Sequence, residues 1–582
     1  AHGIPQARVT LKKMAKDPNR TMIVVDPRRT ETAAMADIHL QVKPGTDAWL
    51  LAAIGGALVQ EDLVDHAWID DHVDGAEDPI KALREIPVAE YCEIAGVPED
   101  LVRETARRIG KAESFAIFED LGIQMNRFST LNSYLNKLLW VLTGNFAKRG
   151  AQYVPAVLVS VAGNLEKLGA GAECKRTPVA NQRIISGLTP CNSIPSEILT
   201  DHPKRYRAMI VESSNPAHSM PDSQAMRQAL SALDTLVVID VAMTETARLA
   251  DYVLPPATQF EKAEATFFNF EFPHNYFHVR QPLFEPPEGV LTEAEIHARL
   301  CEALGAYTDE DLAPLHAALE QGRAAFIPAF FANVLSNPKL APLAPVILYR
   351  TLGPQLPPGM APAAVVWGLA QQFANKHQGS LERAGFEGPS FVAAEKLFDA
   401  IIESPSGVVF SVDDWEESWA RVHTPNGKIQ ASIPELLEEL ATLKDAEPGT
   451  GDAKYPFVLS AGERRSFTAN TIFRSPEWRK KDPDGALRIN PKDASDLGVG
   501  DGDRVRLSTK RGSVEVAVEV TDMMQPGHVS LPNGLGLDNR TEDGSLVRTG
   551  VSLNELTSVE DGDWLAGTPW HKHVPARIEA LA

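Results

Sequence analysis

Cysteine is scarce in this chain of 582 residues: only Cys92, Cys174, Cys191 and Cys301, with no C-x-x-C pair among them. That scatter excludes a disulfide framework and a metal knuckle, and leaves the thiols as small apolar side chains for a core. Cys174, although it stands beside Lys175 and Arg176, is given no redox role. Positive charge is in deficit. With 56 Lys and Arg against 78 Asp and Glu the net charge is −22, so a nucleic-acid backbone would be repelled and is excluded as a partner. Long apolar runs are missing too. Residues 351–375 carry no charge, but Pro354, Pro357, Pro358 and Pro362 interrupt any spanning helix, and no transmembrane segment is expected. The chain has no G-x-G-x-x-G turn, which argues against an ordinary nicotinamide dehydrogenase. No signal peptide is visible, and a cytoplasmic location is the default expectation.

What the sequence does have is a stretch that occurs twice. Asp26-Pro-Arg-Arg-Thr-Glu-Thr-Ala-Ala-Met-Ala-Asp37 returns as Asp240-Val-Ala-Met-Thr-Glu-Thr-Ala-Arg-Leu-Ala-Asp251. Each copy follows a short branched apolar run, Met22 to Val25 and Leu236 to Ile239, suited to a strand buried on both faces. Asp26 and Asp240 therefore stand at strand tips, where open α/β sheets collect ligands and a carboxylate can grip ribose hydroxyls or the N1 and N2 protons of guanine. The plainer alternative is that each Asp only caps the next turn. Ala217-His-Ser-Met-Pro221 precedes the second copy much as Ala1-His-Gly-Ile-Pro5 precedes the first. Val211-Glu-Ser-Ser-Asn-Pro216 has no counterpart in the first copy, so the chain is expected to begin inside a domain and to be the C-terminal part of a longer protein.

Four segments are expected. Residues 1–200 alternate strand-like and helix-like stretches and form a first Rossmann-like unit; residues 201–306 form a second, related to it by the repeat. In the first, Pro44-Gly-Thr-Asp47 feeds a helix whose early amides or Asp can receive a ligand. Ala116 to Phe118 reads as a buried strand, and Leu131 to Leu142 as a helix. In the second, Asp251-Tyr-Val-Leu-Pro-Pro256 leads to Glu261-Lys262, a Lys placed to neutralise a pyrophosphate. Residues 307–450 hold an Ala-, Pro- and Leu-rich helical insertion without a chemical signal and a connecting segment. Pro448-Gly-Thr-Gly451 is a linker, and residues 451–582 turn to β. There Val514, Val516, Val518 and Val520 alternate with polar or small residues across from Arg504-Val-Arg-Leu507, a hairpin of a compact barrel. The fold class is α/β: two doubly wound units plus a C-terminal β-barrel.

Taken together these residues resemble the molybdopterin oxidoreductases of the dimethyl-sulfoxide-reductase type, which carry a bis(molybdopterin guanine dinucleotide) cofactor with molybdenum or tungsten. Val25-Asp-Pro-Arg28, Gly45-Thr-Asp47, Asn215-Pro216, both Thr-Glu-Thr-Ala copies, Ala250-Asp-Tyr-Val-Leu-Pro255 and Glu261-Lys262 fall in the family's order. The resemblance implies one guanosine per unit. Asp26, Arg28, Gly45, Thr46 and Asp47 would hold the first, with Leu121 and Gly122 near its pterin. Ser214, Asn215, Asp240, Lys262 and Glu293, the last where the family commonly has Asp, would hold the second. In the barrel, Gly462 and Arg464 of Ala461-Gly-Glu-Arg464 resemble the family's pterin loop, and Asn554 and Lys572 its polar contacts. Three positions depart from the pattern: Ser213 replaces a Gly, Met125 stands where a Gln is often found, and Glu463 displaces the loop's Arg by one.

The resemblance also implies a 4Fe-4S cluster and a protein ligand to the metal upstream of Ala1, a small-molecule substrate with formate slightly ahead, and an electron-transfer partner. A molybdenum-free scaffold like the large iron–sulfur subunit of respiratory complex I is the alternative. Retention of Asp26, Asp47, Asp240, Asn554 and Lys572 argues against it, since a scaffold has no use for guanosine contacts.

Overall fold

A computed structural model describes residues 6–159, 174–266, 271–450, 452–463, 474–479 and 482–581. Arg464, and the Ala1–Pro5 stretch that opens the first copy, lie outside the described residues.

The two copies of the repeat fold alike, down to individual hydrogen bonds. In the first, strand Ile23–Val25 pairs in parallel with Ile38–Leu40; in the second, Thr235–Ile239 pairs in parallel with Tyr252–Leu254 and with Ala208–Glu212 on its other side. The closing carboxylate of each copy bolts its strand. Asp37 Oδ2 accepts from the Met22 amide at 2.7 Å and Asp251 Oδ2 from the Leu236 amide at 2.7 Å. The first Thr of each copy starts a short 3-10 turn, Thr30 Oγ1 accepting from Ala33 N and Thr244 Oγ1 from Ala247 N. Hydroxyls and carboxylates one short loop away are good local acceptors, so these matched spacings are first of all a folding instruction.

The strands are less covered than their sequence suggests. Val25 is 43% exposed, against the expectation of burial on both faces, because the first sheet has two strands among the described residues. In the second unit Val211, Leu236 and Val238 pack on Met226 and Leu230, but Ile210 and Tyr252 on the opposite face remain exposed. The strand expected at Ala116 to Phe118 is absent. That stretch has no ladder partner; side-chain amides take its backbone groups instead, Asn145 Oδ1 accepting from Phe115 N at 2.8 Å and Gln152 Nε2 donating to Ile117 O at 2.7 Å.

Helix Asp47–Gln60 is the core of the first unit. It is apolar around its whole circumference, and every residue from Asp47 to Val59 is buried, as an all-round apolar helix must be in a soluble core. Helices Val88–Ala95, Glu99–Lys111 and Ser129–Leu142 surround it. The Ala- and Leu-rich stretch is helical, from Asp309–Glu320 through Ser390–Glu403, around Phe326, Trp367 and Phe398.

From Phe457 the chain forms a closed barrel of six strands, in the order Phe457–Glu463, His528–Pro532, Leu487–Ile489, Ser513–Val520, Arg504–Thr509, Val574–Ala580. Alternation decides its interior: Val505, Leu507, Val516 and Val518 point inward and are at most 4% exposed. The expected hairpin is present, with Leu507 opposite Val514 and Val505 opposite Val516. The linker before the barrel is held down by Arg127, whose guanidinium donates to Glu447 O and Gly449 O and lies over the Phe128 ring.

The barrel docks on both repeats. Gln525 Nε2 donates to Pro27 O and Val42 O of the first unit at 2.7 and 2.8 Å. Toward the second unit the contacts are ionic: Arg511 with Asp222 at 2.6 Å and Glu555 with Arg227 at 2.8 Å.

A candidate cofactor-binding seam

The first seam site gathers around Asp26 and Asp47. Asp26 ends its strand, and its Oδ1 accepts from the Arg28 amide at 2.8 Å. The turn-capping alternative is thus realised by one oxygen, and Asp240 repeats it with the Ala242 amide at 3.0 Å. Burial pushes the Asp26 carboxyl above its ordinary range, partly offset by the Arg28 amide. Asp47, first residue of the buried helix, accepts from Asn126 Nδ2 at 2.7 Å. Burial, with the Asp26 charge beside it, raises it to about 7, against the helix-terminus and Asn126 hydrogen bonds. A buried acid in that state is short of donors.

The loop leading into Asp47 is pressed onto the barrel. Gly45 has φ +85°, and a Cβ there would overlap the His573 ring. Thr46 is buried and turns its hydroxyl back to Lys43 O at 2.7 Å. Arg28 forms an ion pair with Glu463 at 2.8 Å; Glu463 also takes Arg488 and the Ser530 hydroxyl. The acid that displaces the barrel loop's Arg is therefore the seam's counter-charge to Arg28. Lys572 Nζ donates to Ala461 O and Gly462 O at 2.8 and 2.9 Å, while its amide donates to Met125 O. Asp26, Arg28, Gly45, Thr46, Asp47, Gly462 and Lys572 thus form one seam. Leu121 and Gly122 lie in a short helix, Leu121–Gln124, just before Met125; Gly122 is exposed and open space surrounds it.

The second group is split. Lys262 pairs with Glu293 and approaches Glu264 at 3.6 Å, beside a cavity of about 300 Å³ that Ser213, Thr292 and Pro362 also line. Ser213 adopts φ 50°, the left-handed region, which explains why a Gly suits this position. Ser214 follows it in the same loop. Asn215 is more occupied than expected: Oδ1 accepts from Thr246 N and Thr246 Oγ1, and Nδ2 donates to Glu245 at 2.6 Å. Asn554 is likewise engaged, donating to His218 O at 2.9 Å and accepting from Thr557. It ties the barrel to the second unit. Asp240 is raised by burial, partly offset by the Ala242 amide and the Arg474 guanidinium.

Several seam residues carry no sequence signal. Asn126 and His573 belong to no motif and meet the site only through tertiary contact. Glu245 and Arg474 are a different case, since Glu245 lies within the repeat but its partner is 229 positions away.

The seam is also rich in polar atoms that lack partners. Buried His528 Nδ1, Trp570 Nε1, His571 Nε2 and His573 Nδ1 have none among the described residues. Burial holds His528 and His573 at about 3 and His571 at about 4, so each is a neutral imidazole. Unpaired buried polar groups are rare and costly, and a polar ligand along the barrel would satisfy them. No group of three or more His, Cys, Asp or Glu suited to a bare metal ion occurs among the described residues.

Residues 1–303 match the model of the molybdopterin oxidoreductases, and residues 457–575 that of the molydopterin dinucleotide binding domain. The F420-dependent formate dehydrogenase subunit alpha of Methanocaldococcus jannaschii is 26% identical over 569 residues, covering 94% of this chain and 72% of its own. Formate dehydrogenase H of Escherichia coli is 29% identical over 269 residues, covering 44% and 37%. Among solved structures, acetylene hydratase from Pelobacter acetylenicus superposes with TM-score 0.67 at 19% identity, over 96% of this chain and 74% of its own; at that identity the likeness speaks for the fold.

Proposed function

The chain belongs to the molybdopterin oxidoreductase family, and from that premise we propose that it holds two molybdopterin guanine dinucleotides on one molybdenum or tungsten, one guanosine against each copy of its repeat, and oxidises formate. The observation that carries the cofactor assignment is the carboxyl pair Asp26 and Asp47, both pushed up by burial and in need of donors, in a seam whose barrel side holds buried polar atoms in need of partners. Guanine supplies N1 and N2 protons in the geometry a carboxylate accepts. Arg28 and Lys572 would balance pyrophosphate charge on the first side and Lys262 on the second. The bound group supplies two-electron redox chemistry; these residues supply position, charge balance and exclusion of water.

Three of the four cysteines do not suit a thiolate ligand to the metal, and the one that remains cannot build a cluster site, in this reading. Burial raises the Cys92 thiol to about 11 and pushes the Cys191 thiol up as well, and Cys301 packs against the helical core. A 4Fe-4S cluster would then be held by residues outside these 582. Formate is preferred as substrate because relatives named formate dehydrogenase match the chain, one over most of its length. The subunit designation of the methanogen relative supports a partner protein as electron acceptor. No helix among the described residues is long and apolar enough to cross a membrane.

The test is formate-driven reduction of a viologen dye by the full-length, metal-loaded protein. Dye reduction that depends on formate is expected. A metal-loaded protein that ignores formate but turns over nitrate or an N-oxide would reject the substrate while leaving the cofactor assignment standing.

A further inference from the structure

The two copies of the repeat share a Glu at the same place, Glu31 and Glu245, but not its surroundings. Glu31 is exposed and makes no hydrogen bond or ion pair among the described residues. Glu245 is the hub of the second seam. Its carboxylate takes both ends of the Arg474 guanidinium at 2.8 and 3.0 Å, the Asp538 amide at 3.0 Å and Asn215 Nδ2 at 2.6 Å. Burial alone would raise this acid; the Arg474, Asp538 and Asn215 donors outweigh it and hold it at about 2. Arg474 also donates to Asp538 O, and Arg248 pairs with Asp538 Oδ2 at 2.9 Å, so the separate two-stranded hairpin of Leu537–Arg540 and Leu546–Thr549 is fastened here. The Arg474 charge in turn reaches Asp240.

We propose that Glu245 is a positioning residue of the second dinucleotide site, fixing the Asn215 amide and the Arg474 guanidinium beside Asp240, and that Glu31 has no such role in the first. The inference rests on the reading of the two repeats as guanosine sites. Its physical basis is preorganisation: a bidentate Arg–carboxylate pair sets a guanidinium in one orientation, and the remaining carboxylate capacity orders the amide beside it. With Glu245 changed to Gln, Arg474 loses its counter-charge and one of the two acceptor oxygens becomes a donor, so Arg474, the Asn215 amide and the Asp538 amide of the hairpin can no longer all be held at once. The first site keeps its own fastening, Arg28 with Glu463 and Gln525 with the Pro27 and Val42 carbonyls.

The repeat provides its own control. Full-length protein made in a cofactor-competent host is purified as wild type, Glu31→Gln and Glu245→Gln, and guanosine monophosphate released by acid is counted per chain, with thermal unfolding recorded alongside. Expected are two per chain for wild type and Glu31→Gln, and one for a folded Glu245→Gln. A general loss of stability would lower both sites together, so single-site loss is the signature of positioning. Two retained by Glu245→Gln, or equal losses in the two variants, overturns the proposal. If Glu245→Gln does not fold, Arg474→Gln takes its place, since it keeps the Asn215 contact and must still give one; two or none overturns. Wild type without any guanosine overturns the underlying reading and the proposal with it.

Discussion

Gly45 and Asp47 show how much of this site is decided one residue at a time. Gly45 needs a positive φ and also has no room for a Cβ, because His573 of the barrel fills the space. Gly45→Ala is expected to cost about 2 kcal/mol or more from backbone strain and overlap together. His573→Ala should recover the overlap part in the double variant, so denaturant unfolding of the cycle should show coupling on the order of 1 kcal/mol; additive effects would mean that the seam gives way freely. Asp47 makes a pH argument. Its folded pKa, about 7, lies above the ordinary carboxyl value of 3.8, so its favourable contribution is complete below 3.8 and is lost as pH rises through about 7. That displacement corresponds to on the order of 4 kcal/mol. Unfolding of cofactor-free protein between pH 4 and 8 should therefore lose stability with rising pH relative to Asp47→Asn, and cofactor loading should remove the difference by supplying donors to the carboxylate. Parallel curves for the two cofactor-free proteins would place the titration elsewhere.

At the scale of elements, the helix Ser129–Leu142 begins at Phe128, which has φ 56° and offers no side-chain cap. The cap comes from the far end of the chain. Asp563 accepts from the Ser129 hydroxyl, the Thr130 amide and hydroxyl, and the amides of Leu565 and Ala566, all between 2.8 and 3.0 Å. Asp563→Ala leaves buried donors unpaired and removes a negative charge from a helix N-terminus; a loss of about 2–4 kcal/mol is expected. It should appear as a lower Tm and as new protease cleavage in residues 559–568. An unchanged digestion pattern would mean that the tail is held by packing alone.

Such caps explain what the sequence could and could not reveal. The repeat, the helix after Asp47 and the barrel hairpin were legible because each is written in local spacing: period two in the barrel, a matched Asp-to-Asp interval in the repeats, an unbroken apolar run in the helix. Asp563 as a cap, Asn126 against Asp47, and His573 against Gly45 were not, because each pairs residues from separate parts of the chain. The missing strand at Ala116 to Phe118 is the same lesson reversed. Its residues favour a strand, but a strand needs a neighbour, and only side-chain amides were at hand.

At the scale of the whole molecule, one barrel is laid across two copies of one unit and fastened to them by different means. Amide donors and Arg28 with Glu463 hold the first copy; Glu245, Arg474, Arg511 and Arg227 hold the second. A repeated pair of carboxylate strand tips facing a single shared domain suits a ligand that is itself two halves joined in the middle. The most direct measurement is therefore a ratio. Full-length protein is analysed for molybdenum and tungsten, and the guanosine monophosphate released by acid is counted against the metal. Two nucleotides per metal is the predicted result; a metal-loaded protein that releases one or none would contradict the pairing of each repeat with a guanosine.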